Sequence, residues 1–559
     1  MLRKRIFKIG LFIWIIGSFL QLSCNASNTV DYIFYNGKIF TAAGENEFVT
    51  AIAIKNGIIS GSGTDKNILK QFSAARNRKI NLQKQLVLPG FHDAHLHLRN
   101  GARLLQQLDL RNIKSRDKVI QKITDAVSRA EKGTWILGRG WDHELWLDKK
   151  LPDKKLLDKI TTEHFIYLRR VDGHAGWVNS AVLNLLDISA KSTDPYGGKI
   201  IRYDNSREPT RILIDAAEQV VTNAIPEATF YEKYSWVKNV IPFANELGIT
   251  SVTDNSPGVF YKVYSELHKQ GLLSLRINFW VNYMDNLDSL KSYLNSFPEI
   301  PGFLKADLIK LYADGSLGSR SAYLKSDYLD SPGNKGLPQY PLEKLLQISQ
   351  NTVNKNFYLG IHAIGDAGIH QVLEVYENIK KEFPNQDHRF RMEHAQMIDP
   401  ADFKKFKELK VIASMQPSHC ITDLHWAENR IGDRARYSYS WNSFIKNGIR
   451  LAFGTDWPVE PLNPMVGLYA AVTRQDTLGF PEGGWYPEER ITLGQAIIAY
   501  TAGSAYAARN ENWCGTLESG KVADFIILDR DLFKISPNEI LKTKILSTYI
   551  AGEKVYSRK

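Results

Sequence analysis

The sequence predicts an α/β fold, a (β/α)8 TIM-like barrel with a small β-sandwich domain formed from the N- and C-terminal segments. Three observations predict it. Polar residues with metal-binding or reactive side chains recur at the ends of short apolar or β-branched runs, with gaps that suit strand, helix and next strand. Strand-like runs lie at both ends of the chain, around that alternating region. The length of 559 residues, 43% of them hydrophobic, suits a barrel of about 250 residues with insertions and a second domain.

The elements follow in order. Arg3, Lys4, Arg5 and Lys8 precede the apolar stretch Ile9 to Leu22, a secretory signal pattern too short for a comfortable membrane span. Leu20-Gln21-Leu22-Ser23-Cys24 resembles a bacterial lipoprotein signal, although Gln21 stands where leucine is usual. Residues 1–26 therefore read as an export signal, with Cys24 as the candidate lipidated residue and ordinary cleavage after Ala26 as the rival. The expected location is the periplasm of a bacterium, or its membrane surface through a lipid anchor.

Residues 30–85 carry short strands punctuated by Asn36-Gly37 and Asn56-Gly57, a dipeptide that between apolar runs signals a hairpin. Residues 511–559 answer with Ala523–Leu528, Leu546–Ile550 and Lys554–Tyr556. One β-domain built from both termini accounts for this, as would two separate hairpins. The barrel is expected over 86–510, interrupted by a substrate-side insertion at about 130–245, since long loops on a barrel's catalytic face commonly shape the pocket.

The first barrel strand is the most informative. In Leu86-Val87-Leu88-Pro89-Gly90-Phe91-His92-Asp93-Ala94-His95-Leu96-His97, the histidines at 95 and 97 share one face because strand side chains alternate. Such a pair reads as half a metal site, with His92 on the opposite face in a structural role. Lys310, His362, His394 and Asp456 each stand at or near the end of a later run. In a barrel those ends converge on one mouth.

Here the chain resembles the metal-dependent amidohydrolase superfamily, in the branch called amidohydrolase family 3, or YtcJ-like. The matching segments are Pro89–His97, Asp172–Asn179, Lys310–Arg320, His362–Asp366, Glu393–Gln396, Met415–His419 and Gly454–Glu460, in the family's order. The resemblance implies that His95, His97 and Asp456 hold one divalent metal and His362 and His394 a second. Zinc fits best, with manganese, iron and cobalt admissible. Lys310 is then either a carboxylated bridge between the metals or an ion-pair partner of Asp314 or a nearby acid. A metal pair would polarise a carbonyl and supply hydroxide near neutral pH. Asp456 would accept that proton and deliver it to the leaving nitrogen of an amide-like substrate. His174, Trp177, Arg320 and His419 are the substrate-side candidates. For Arg320 an ion pair with Asp314 is the alternative to a substrate carboxylate, and for Trp177 a packed core position.

A single-metal deaminase or cyclic-amide hydrolase on the same scaffold is the second expectation, and a non-catalytic binding protein the third. Pro209-Thr210-Arg211-Ile212-Leu213-Ile214-Asp215 departs from the family's Pro-Thr-Gly and following glutamate, in what reads as a substrate-shaping loop. The net charge of +11 is scattered with no long basic run, which argues against a nucleic-acid partner. Cys420 and Cys514 read as free thiols, and a small amide-like molecule is the expected partner.

Overall fold

The computed structural model describes residues 28–171, 174–203, 205–297 and 299–559. The export signal and Cys24 lie outside the described residues. The chain divides into two compact units, one of residues 99–237 and one of the remainder.

The larger unit contains the barrel. Its strands are β1 (Phe91–Leu96), β2 (Ile249–Asn255), β3 (Arg276–Asn282), β4 (Leu304–Tyr312), β5 (Tyr358–Ala363), β6 (Arg391–His394), β7 (Ile412–Met415) and β8 (Leu451–Phe453). They are parallel and lie side by side in chain order. Most of their residues are buried on both faces, as expected of a parallel sheet covered by helices. The helix Asp366–Glu382 shows how the cover forms: Ile369, Val372, Leu373, Tyr376 and Ile379 recur at helical spacing and are all buried.

The seam between β8 and β1 is closed by hydrogen bonds from the segment after β8. Asp456 N donates to His95 O at 2.7 Å, and His97 N donates to Trp457 O at 2.8 Å. Asp93 adds a side-chain clasp, accepting from His95 N, Thr455 N and Thr455 Oγ1. Gly454 allows this approach, because a Cβ there would lie 2.5 Å from His95 N and 2.7 Å from Asp93 Oδ1. Gly454→Ala should therefore cost about 1–3 kcal/mol, the usual penalty of overpacking. A denaturant-midpoint measurement checks this, and an unchanged midpoint would show that the seam relaxes freely.

The terminal segments build two sheets. One, in spatial order, is Glu553–Ser557, Ile545–Ile550, Phe525–Leu528, Leu86–Pro89, Lys38–Phe40 and Phe48–Val49. The other is Ile58–Gly63, Ala51–Lys55, Tyr32–Tyr35 and Lys79–Asn81. Phe34 and Ile52 of one sheet pack with Phe525 and Tyr549 of the other in a shared core. The termini thus share one hydrophobic core rather than forming separate hairpins.

The two Asn-Gly signals part company. Ala51–Lys55 and Ile58–Gly63 pair antiparallel across Asn56-Gly57, both at positive φ, as a two-residue hairpin turn requires. Asn36-Gly37 is a turn but not a hairpin: Tyr32–Tyr35 and Lys38–Phe40 enter different sheets. Burial of Phe34 and Ile39 in the shared core decides that outcome over local turn preference.

The unit of residues 99–237 covers most of the segment expected as an insertion and has its own six-stranded sheet. Pro209–Asp215 is a strand within it, not a loop, since Ile212 and Leu213 are buried on its two faces and it pairs with Ala175–Val178 and Gly198–Arg202.

Candidate metal centre

At the C-terminal end of the barrel, His95, His394 and Asp456 are buried and offer ligand atoms within 4.8 Å of one another. His97 joins them, with Nε2 3.1 Å from Asp456 Oδ1, while His95 Nε2 lies 3.7 Å from the same oxygen. The His362 ring is 4.4 Å from that of His394. Lys310 Nζ sits 3.2 Å from His95 Nε2. All six residues read from the sequence as ligands thus gather at one place, carried on β1 and the residue that follows it, on β4, β5 and β6, and on the turn after β8. His394 and Asp456 hold positive φ, a conformation uncommon for non-glycine residues.

Hydrogen bonds fix the histidine tautomers. Asn255 O can only accept, so His97 Nδ1 donates to it at 3.1 Å. His362 Nε2 donates to Gly315 O at 3.1 Å. His95 Nδ1 donates to Glu393 Oε2 at 2.8 Å. Each imidazole therefore presents its other nitrogen as a lone pair, the arrangement found when a metal-binding histidine is oriented by an outer partner. His394 Nδ1 and Asp456 Oδ1 are buried with no hydrogen-bond partner among the described residues. Lone pairs facing a carboxylate oxygen, together with orphaned acceptors, are what a divalent cation would satisfy, so the residues present fit the group.

The electrostatics agree. Burial, then the nearby Lys310, lowers His95 to about 4 and His362 to about 3, leaving both in the neutral form that binds metal. Burial lowers the Lys310 amine to about 8, and no carboxylate among the described residues lies within ion-pair distance of it. The expected alternative pairing with Asp314 does not form. Asp314 instead accepts from the backbone N–H groups of Ile364, Gly365 and Tyr323, anchoring the turn after β5.

Of the two substrate-side candidates in the larger unit, His419 is at the centre, its ring stacked 6.0 Å from His394 and its Nε2 3.7 Å from Asp456 Oδ2. The Arg320 guanidinium grips Asp330 through two hydrogen bonds of 3.0 and 2.9 Å, so the ion pair expected with Asp314 is made with Asp330 instead. In the smaller unit, Trp177 is fully buried against Trp141, its Nε1 donating to Asp153 O. His174 is exposed and bonded to Asp215 at 2.7 Å, so the aspartate that departs from the family pattern has a partner. His92 is buried between Thr253 and Asn278, outside the ligand set. Cys420 and Cys514 are buried free thiols.

Sequence reading missed the supporting residues. Glu393 orients His95 and is itself held by Arg391, both fully buried. Their alternation in Arg391-Met392-Glu393-His394 puts both on the inner face of β6, and that period-two signal was available. Trp280, on β3 with its ring centroid 4.7 Å from Lys310 Nζ and 5.1 Å from the His95 ring, carried no local signal, and neither did Asp93.

The barrel and its buried histidine–aspartate centre define a metal-dependent hydrolase. The chain belongs to the amidohydrolase family: the model described as “Amidohydrolase family” matches residues 78–556. Protein LONG AFTER FAR-RED 3 of Arabidopsis thaliana is 33% identical over 551 residues, covering 96% of this chain and 93% of its own length. N-substituted formamide deformylase of Arthrobacter pascens is 23% identical, covering 94% of this chain and 98% of its own. Among solved structures, an uncharacterized metal-dependent hydrolase from Pyrococcus furiosus superposes with a TM-score of 0.72 at 27% identity, over 89% of this chain and 99% of that one.

Proposed function

We propose that this protein hydrolyses a non-peptide carbon–nitrogen bond in a small amide-like molecule, with two divalent cations, zinc foremost, held by His95, His97, Lys310, His362, His394 and Asp456. The convergence of buried neutral histidines on the unpartnered Asp456 Oδ1 is the observation that carries this reading. When bound, the cations supply Lewis acidity toward the carbonyl oxygen and water that ionises near pH 7. Asp456 takes up the proton of the attacking water at a carboxylate oxygen and returns it to the leaving nitrogen. His419, beside Asp456 Oδ2, faces the substrate. Lys310, if carboxylated, would join the set that holds the cations: its amine is buried, has no carboxylate within ion-pair distance among the described residues, and is lowered to about 8 by burial. The relative that acts on N-substituted formamides supports an N-substituted formamide or N-acyl amine as the substrate class.

A second reading has its own support, since His95, His394 and Asp456 alone would hold one cation and serve a deaminase or cyclic-amide hydrolase. Elemental analysis of wild type and Lys310→Ala separates them. Near two metals per chain, falling to one or fewer in the variant, is the expected result. One metal in both proteins would favour the second reading. No metal in either, after reconstitution with zinc or manganese, would overturn both. Export, with or without lipid at Cys24, completes the proposal on the strength of the basic and apolar leader.

A further inference from the structure

Near the N-terminus the helix Asp65–Gln71 covers one face of the sheet that holds Tyr32–Tyr35, Ala51–Lys55, Ile58–Gly63 and Lys79–Asn81. Ile68 and Phe72 turn toward that sheet and pack with Val30, Ile33, Ala51 and Ala53. Lys66 and Lys70, one turn apart, are left on the exposed side with Leu69. The chain continues through the single turn Arg76–Arg78 into the edge strand Lys79–Asn81. Lys79 is the register partner of Ile33, so its side chain leaves the sheet on the helix side.

Between residues 64 and 85 six basic side chains, Lys66, Lys70, Arg76, Arg78, Lys79 and Lys84, stand against a single acid, Asp65. Nearly half of the net charge of +11 is therefore concentrated here, although uncharged residues separate most of the six in sequence. All six are exposed, and none has a carboxylate within ion-pair distance among the described residues. Asp65 is engaged by the backbone, accepting from Asn36 N at 3.0 Å. The described chain begins in the same place. Val30 N donates to Ser73 O at 2.9 Å and Ser73 N to Asn28 O at 3.1 Å. Its first residues are thus tied down between the helix and the Arg76–Arg78 turn. Cys24 is four positions upstream of Asn28, a reach of at most about 14 Å.

We propose that this face docks on a bilayer surface of anionic lipid, beside the point where the leader meets the membrane. The inference rests on the reading of the leader given above. An anchor at Cys24 would hold the face within that short reach of the headgroups. Unpaired cations there meet lipid phosphates, and each basic side chain near such a surface strengthens binding roughly fivefold. Leu69, 38% exposed between Lys66 and Lys70, adds an apolar contact at the interface, and the lysine stems lie along it while their ammonium groups stay in water. Among the described residues no helix is long and apolar enough to cross a membrane, so the contact is made at the surface.

Every element and core contact described lies within residues 28–559, so the chain made without its leader separates this face from the anchor. It is sedimented with vesicles of phosphatidylcholine, with and without phosphatidylglycerol, at low and high salt. Wild type should bind the phosphatidylglycerol vesicles, release them in high salt as the charges are screened, and leave pure phosphatidylcholine alone. Lys66→Gln, Lys70→Gln and Lys79→Gln together should weaken binding about a hundredfold, and Lys70→Gln alone about fivefold. All three side chains are exposed, so the unfolding midpoint, measured on the same samples, should not move. No binding to phosphatidylglycerol vesicles, equal binding to both kinds, or full binding by the folded triple variant would overturn the inference. Binding to a DNA duplex as tight as to the vesicles would make the face a general polyanion site and overturn it too. Fractionation of cells making the full chain tests the leader separately. Recovery in the soluble cytoplasmic fraction would overturn the leader reading and this inference with it. A membrane-bound chain whose face fails the vesicle test would sink the inference alone.

Discussion

Replacing Asp456 by asparagine is expected to lower turnover by about 10²–10⁴-fold, the range ascribed to a positioned general acid–base group. The side chain is close to isosteric, so the backbone contact from Asp456 N to His95 O and the seam it closes should survive. The amide cannot take up a proton in place of the carboxylate. Its new N–H group also faces the space shared with the His97 and His95 Nε2 atoms, 3.1 and 3.7 Å from Asp456 Oδ1. The assay should use an N-substituted formamide or N-acyl amine that wild type turns over, with metal content measured on the same samples. Full turnover at full metal content would remove Asp456 from the chemistry. Lost turnover with lost metal would assign it as a ligand alone.

Replacing Arg391 by methionine is expected to cost about 3–5 kcal/mol, the usual result of stripping one partner from a buried ion pair. Arg391 and Glu393 are both fully buried. The guanidinium donates to Glu393 Oε1 at 2.9 Å, to Ala94 O at 2.8 Å and to Ser414 Oγ at 3.3 Å, tying β6 to β1 and β7. Methionine fills part of the volume and satisfies none of these. The double variant Arg391→Met with Glu393→Gln removes the stranded charge and should be more stable than the sum of its single changes predicts. The pH dependence follows with a definite sign. Burial would raise the Glu393 carboxyl, but Arg391 and the His95 hydrogen bond outweigh it and hold the group at about 2. Its stabilising contribution is complete above the ordinary glutamate range and disappears as pH falls toward 2. Without Arg391 the carboxyl should protonate at higher pH, so acid unfolding of the single variant should begin earlier. Denaturation followed by circular dichroism across pH checks both effects, and a loss below about 1 kcal/mol would show that Glu393 needs no partner.

The residues that gather at the barrel mouth were legible because each of them obeys a local rule. His95 and His97 declare a shared face by their spacing, and His362, His394 and Asp456 stand at or just past strand ends, where a barrel brings residues together. Lys310 was legible as an anomaly, a lysine within an apolar run. The hairpin at Asn56-Gly57 was legible for the same reason, since turn geometry is encoded within four residues.

The same dipeptide at Asn36-Gly37 shows where local rules stop. Its turn forms, but which strands flank it depends on Phe34 and Ile39 meeting a C-terminal strand and its neighbours some five hundred positions away. The environment of the centre was decided in the same way. His95 finds Glu393 across 298 residues, Asp314 is claimed by backbone N–H groups rather than by Lys310, and Arg320 is claimed by Asp330. By itself the sequence determined the barrel, the family and the residues that reach its mouth, because periodicity, strand-end position and ordered motifs are properties of short segments. Only the tertiary structure decided the hydrogen-bond partners of His95, His97 and His362, the tautomers those partners fix and the packing of Trp280 against Lys310. Those depend on burial and distance between segments that no local pattern connects.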